Sequence, residues 1–128
     1  MLGTFQQSHL RIEVSAPAST LRHSLTKPSE FQKWLFPQRF SYGLPENLQV
    51  GDTFTSWMGP IAIQHTVEQI HPYSLRFLLS GGVDGFHEWC WGEGWVQSRL
   101  EGISLLPLNL GQTFSLLRLR QFLTTKSN

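Results

Sequence analysis

Two histidines in alternating stretches, His65 in "IAIQHTVEQ" and His87 in "GFHEWCW", are the side chains best placed to do chemistry. An imidazole titrates near neutral pH and can hydrogen-bond a ligand or move its proton. Around His87 stand Trp89, Trp91 and Trp95, three of the chain's five tryptophans. "HEWCW" opens like the zinc signature H-E-x-x-H, but Trp91 takes the place of the second histidine. On a strand, moreover, His87 and Glu88 point to opposite faces. Cys90 has no C-x-x-C partner and no evident neighbour to stabilise a thiolate, so it reads as a structural thiol. "SGGVDG" lacks the lysine and the spacing of a phosphate loop and reads as a turn, and no G-x-S-x-G elbow is present. Alternation turns Glu88 outward, and the direction of Glu101 depends on the register before it. No acid–base pair, metal-ligand set or cofactor motif emerges.

The faces of the strands follow from turn chemistry, because a one-residue slip moves every side chain to the other side of a sheet. In "MGPI", Gly59-Pro60 suits a two-residue hairpin loop with glycine first. Met58 then pairs with Ile61, Ser56 with Ile63 and Phe54 with His65, so these six share an apolar face. Trp57 falls on the other side. In the tryptophan hairpin, a Gly92-Glu93 loop pairs Trp91 with Gly94, Trp89 with Val96 and His87 with Ser98. The inner face then holds His87, Trp89, Trp91, Val96, Ser98 and Leu100, with Cys90, Trp95 and Arg99 outside. A three-residue loop, Gly92-Glu93-Gly94, would instead group Trp95 and Arg99 with Trp89 and His87.

These residues need a scaffold, and the chain is long enough to build one. Its 128 residues amount to one domain, with a core at 9–123 and tails at 1–8 and 124–128. A formal net charge of +1 with scattered basic residues shows no footprint for nucleic acid or an anionic membrane. The longest nearly apolar stretch, "ISLLPLNL", is far short of the ~18 residues of a membrane span. The N-terminus lacks the pattern of a signal peptide, and a single cysteine fits a reducing compartment, so a cytoplasmic protein is expected. "LRIEV" alternates as a strand, and two short helices follow, with Pro17 and Pro28 in their first turns. Six strands are expected at 38–43, 51–58, 61–70, 74–80, 86–91 and 94–104. A bulge or irregular turn near 69–73 is needed to bring Ile70 and Leu75 into phase. "NLGQTFSLLRLRQFL" closes the chain as a helix. One strand, two helices, six strands and a helix describe an α+β domain, an antiparallel sheet with its helices on one face.

That order resembles the helix-grip fold of the START-like superfamily, which includes polyketide cyclases and pollen-allergen-type ligand carriers. The matching stretches are "VSAPASTL", "KPSEFQKWL", "VGDTF", "VEQIHPYSLRF", "LEGIS" and "LLRLRQFL". The resemblance implies a curved seven-stranded sheet gripping the C-terminal helix, with an apolar cavity between them. The superfamily shares no catalytic residue set, so none is transferred to this chain. On this reading the domain binds a small hydrophobic or amphipathic molecule. Phe54, Trp89, Trp91 and Phe114 supply apolar contact, and Ser56, His65, His87 and Ser98 orient the ligand. A cyclase or dehydratase using an inward histidine, and a co-chaperone-like interaction domain working through Trp57 and Trp95, are the alternatives.

The final helix carries two apolar stripes at about 100° per residue. Leu110, Phe114 and Leu117 form one, assigned to the cavity. Leu116, Leu119 and Leu123 form the other, on the back. A covered back calls for the short helices, residues 1–8 or a second subunit, which leaves room for a homodimer through Leu116 and Leu119.

Overall fold

The computed structural model describes residues 3–35 and 38–126. The first strand, β1 (Thr4–Glu13), starts earlier than the alternation of "LRIEV" suggests. Backbone pairing with the last strand, from Thr4 opposite Ser104 to Glu13 opposite Trp95, recruits the polar stretch "TFQQS". Residues 4–8 are therefore half of an edge strand rather than a tail. Residues 1, 2, 127 and 128 of the expected tails lie outside the described residues.

Two short helices follow, α1 (Ala18–Thr26) and α2 (Pro28–Trp34). Pro28 opens α2, where its fixed φ suits a helix and its missing N–H leaves no donor unpaired. Trp34 ties the two together, its indole N–H donating to the Ser24 carbonyl at 3.0 Å. The remaining strands are β2 (Arg39–Phe40), β3 (Thr53–Met58), β4 (Ile61–His71), β5 (Ser74–Gly81), β6 (Val83–Gly92) and β7 (Trp95–Ser104). The expected strand at 38–43 is thus reduced to two residues. The chain ends in α3 (Leu108–Lys126). All seven strands pair antiparallel in the order β1-β7-β6-β5-β4-β3-β2. The architecture is α+β, as expected.

The β3–β4 hairpin has the expected register, with Met58 opposite Ile61 and Phe54 opposite His65. Gly59 at φ +59° supplies the left-handed residue that its turn requires. A bulge between Val67 and Gln69 brings Ile70 opposite Leu75. The β6–β7 hairpin is shifted by two residues from the expected pairing. Its loop is Glu93-Gly94, so Trp91 faces Val96, Trp89 faces Ser98 and His87 faces Leu100. A shift of two leaves every face unchanged, because side chains alternate with period two. The loop position reflects tertiary contacts: the Glu93 carboxylate accepts the Ala18 N–H at 3.1 Å, at the start of α1. Glycine still meets tryptophan, but on the outer face. A Cβ on Gly92 would lie 2.5 Å from the Trp95 ring nitrogen.

Helix α3 lies on the inner face of the sheet with the opposite stripe inward from the one expected. Leu116, Leu119 and Leu123 are 1%, 0% and 2% exposed, whereas Leu110, Phe114 and Leu117 are 66%, 47% and 51% exposed. Its own chain therefore buries Leu116 and Leu119, which removes them as a homodimer surface. Gln112 decides the rotation. It lies on the inward stripe, and its amide donates to the carbonyls of Ser8 (3.1 Å) and Ser98 (2.8 Å). Its oxygen accepts from the Ser8 hydroxyl. Gln6 fixes the start of the helix, accepting the Leu108 N–H at 3.1 Å and donating to the Leu106 carbonyl at 2.8 Å. Among the described residues, no helix is long and apolar enough to cross a membrane.

Candidate functional site

Between α3 and the sheet lies a cavity with a main lobe of about 480 Å³ and a small lobe of about 70 Å³ towards α2. The main lobe is in the size range of small-molecule sites. Both lobes share Leu35, Gln38, His65, His87 and Ser115, so the two histidines stand where they meet. Aromatic rings from α2, β2, β3, β5 and β6 wall the small lobe, among them Phe31, Phe40, Phe54, Phe77 and Trp89. Aliphatic side chains such as Ile63, Leu79, Val83 and Leu100 floor the main lobe, and Leu110, Gly111 and Phe114 of α3 form its rim. Among the described residues, no Asp, Glu, Lys or Arg lines either lobe.

Each histidine is held by a serine on the neighbouring strand. Ser56 Oγ lies 2.9 Å from His65 Nε2, and Ser98 Oγ lies 2.8 Å from His87 Nε2. His65 stacks on Phe54 at 4.5 Å between ring centres, with Phe77 edge-on at 5.6 Å. His87 packs on Trp89 at 4.6 Å, and Trp89 meets Trp34 edge-to-face at 5.9 Å. This apolar packing strips water from both rings. Burial pushes His65 down to about 4, and burial followed by the nearby His65 charge pushes His87 down to about 3. Both imidazoles are neutral at physiological pH. They can hydrogen-bond there but are weak bases, and among the described residues no carboxyl group in the lining could complete an acid–base pair.

The expected site residues therefore divide into three layers. His65, His87, Phe54 and Trp89 line the cavity, and Phe114 reaches it from the exposed stripe of α3 as part of the rim. Ser56 and Ser98, 0% and 1% exposed, stand behind the histidines and orient them. Trp91 is buried in the core and lines neither lobe, and its ring N–H has no partner among the described residues. Sequence reasoning missed Gln112, which donates to Ser98 Oγ at 2.9 Å and so links α3 to the His87 pair. A lone polar residue in register with Leu108, Leu116 and Leu119 was the available signal.

The outer face of the sheet is polar and self-paired. Arg76 bridges Glu68 (3.1 Å) and Glu88 (3.5 Å) and lies 3.9 Å above the Phe86 ring. Glu101, turned outward, is held below the usual carboxylate range first by the Gln7 amide and also by the charge of Arg99. Trp57 and Trp95 are half-buried, and Arg11 covers Trp95 at 4.6 Å. A bare tryptophan patch is not present among the described residues.

Solved structures share this architecture. DynU16, a protein of the dynemicin biosynthetic locus, matches at a TM-score of 0.70 and 18% identity over 94% of this chain and 48% of that one. CalU16 from Micromonospora echinospora matches at 0.68 and 16% identity, covering 96% of this chain and 79% of its own. The Aha1 dimer from Colwellia psychrerythraea matches at 0.67 and 17% identity, over 92% and 96%. The chain thus spans about half the length of DynU16 and nearly all of the Aha1 chain. At such identities the likeness shows the fold alone, a seven-stranded antiparallel sheet with a C-terminal helix lying across it. No family model matches the sequence, and no curated protein matches it.

Proposed function

We propose that this domain binds a small hydrophobic or amphipathic molecule in the cavity between its sheet and α3. The observation that carries the reading is the main lobe of about 480 Å³, apolar apart from two neutral imidazoles and a few amide and hydroxyl groups. Affinity would come mainly from burial of apolar surface, at roughly 25 cal/mol per Å². The unpaired thiol of Cys90 fits a reducing, cytoplasmic setting. A cyclase or dehydratase would need a proton-transfer partner for the histidines, and the described lining supplies none.

Native mass spectrometry of freshly purified protein, with uptake of the neutral probe N-phenyl-1-naphthylamine, tests the reading. Gly111 lines the cavity, and a Cβ there meets no atom within 4 Å. Gly111→Phe should therefore place a ring at the rim without a backbone clash. A co-purifying mass or probe uptake in the wild type, lost in Gly111→Phe at unchanged melting temperature, is the expected result. A wild type that neither carries a ligand nor takes up the probe overturns it.

A further inference from the structure

The sheet ends differently on its two sides. β2 closes one edge with two residues, whereas β1 forms the other with ten. Native sheets blunt an exposed edge with proline, lysine, a bulge or a short strand. β1 has no proline or lysine and pairs with β7 without a register shift from Thr4 to Glu13. The end of that ladder tells which backbone groups stay open. The Val14 N–H donates to the Gly94 carbonyl at 2.9 Å, in the register that sets Glu13 opposite Trp95. Bonded and non-bonded positions alternate along an antiparallel pair, so the even-numbered residues of β1 bond to β7. The N–H and C=O groups of Phe5, Gln7, His9, Arg11 and Glu13 therefore point away from the sheet, and all five residues are exposed.

The side chains at the end of this edge, "LRIEV" (10–14), are their own complement. Laid antiparallel against a copy of itself about Ile12, the stretch sets Arg11 opposite Glu13 and Leu10 opposite Val14, each twice. Ile12 meets Ile12 on the axis. Opposed residues share a face, so opposite charges meet on the outer side and half-buried apolar side chains on the inner side. Arg11 and Glu13 lie 3.3 Å apart within the strand, and at 50% and 77% exposed both can also reach across. Both belong to the outward set, so each such pair exchanges backbone hydrogen bonds as well. Pairing about His9 would use more of the edge, but it sets Arg11 opposite Gln7 and Glu13 opposite Phe5, which matches neither charge. We propose that two copies of this chain associate edge to edge through β1, antiparallel and centred on Ile12, so that their sheets become continuous. A foreign strand would meet the same backbone groups; the match of charge and apolarity in one register is what selects a second copy. This contact uses no residue of the cavity lining, so it stands apart from ligand binding.

Sedimentation equilibrium of the wild type, up to submillimolar concentration, should approach twice the 14.7 kDa of one chain. Glu13→Arg sets cation against cation in both charge pairs and should weaken association about tenfold or more. Arg11→Glu combined with Glu13→Arg exchanges the charges and should restore it. Ile12→Cys in a Cys90→Ser background reads the register directly. Under mild oxidation it should form a covalent dimer, whereas His9→Cys, opposite Ser15 in this register, should not. A wild type that stays monomeric at these concentrations overturns the proposal. So does a dimer that Glu13→Arg leaves intact, a folded double variant that stays monomeric, or crosslinking through His9→Cys in place of Ile12→Cys. If the double variant fails to fold, the cysteine variants still decide, because they leave both charges in place.

Discussion

The histidines gain their character from what is stacked on them. In an unfolded chain both titrate near 6.5, but in the fold they do so at about 4 and about 3, because Phe54, Phe77 and Trp89 displace water from the charged form. Below pH 6.5 the unfolded chain binds more protons than the folded one, so acid favours unfolding. The stability these rings contribute is complete above pH 6.5 and is lost as the pH falls through 4 and then 3. Urea midpoints measured from pH 8 to pH 4 should be level at first and decline below 6.5. The decline should be shallower in the Ser56→Ala, His65→Leu variant, and equal slopes would contradict the buried neutral ring.

At the scale of the element, α3 places three large apolar residues in water and three in the core, on opposite sides of one helix. Gln112 and the Gln6 contacts hold that rotation, since turning the helix would break a buried network reaching Ser8 and Ser98. Neighbouring positions should therefore respond very differently to the same change. Leu116→Glu puts an unpaired charge where 1% of the side chain is exposed and should prevent folding or lower the melting temperature steeply. Leu117→Glu, half-exposed, should stay within about 0.5 kcal/mol of wild type. Circular dichroism melts of the two variants decide the point, and a stable Leu116→Glu protein would mean that the helix is rotated from the arrangement described.

For the whole molecule, the tryptophans report how the sheet and helices close on each other. Trp34 and Trp89 meet edge-to-face where α2 covers β6, and Trp91 fills the core beside them. Trp57 and Trp95 stand on the opposite side of the sheet. Acrylamide quenching of single-tryptophan variants should leave Trp89 and Trp91 protected and reach Trp57 and Trp95 more readily. Trp91→Ala should cost about 3–5 kcal/mol as a fully packed ring. Trp89→Ala should cost less, because one side of that ring already borders the small lobe. Equal costs would mean that the lobe is filled by protein.

What the sequence determined by itself is the set of faces. Period-two alternation and the Gly59-Pro60 turn put His65, His87, Trp89 and Trp91 on one side of the sheet and Trp57 on the other. The side of Trp95 hung on the length of the loop before it, which the structure fixes at two residues. Those assignments survive the two-residue shift in the tryptophan hairpin, because such a shift preserves alternation. The order of elements, and with it the α+β class, was equally legible from periodicity and turn residues. Tertiary structure decided the rest, wherever local signals were degenerate. Two stripes of equal apolarity cannot say which one meets the sheet, and the choice fell to Gln112 through Ser8, 104 residues away, and Ser98 on β7. The polar residues 4–8 became a strand because β7 offered a free edge to pair with. The cavity is a remainder, the space that opposing side chains leave unfilled, and no single segment encodes it. The neutral histidines follow from that same enclosure, since their titration depends on rings that four separate strands bring together.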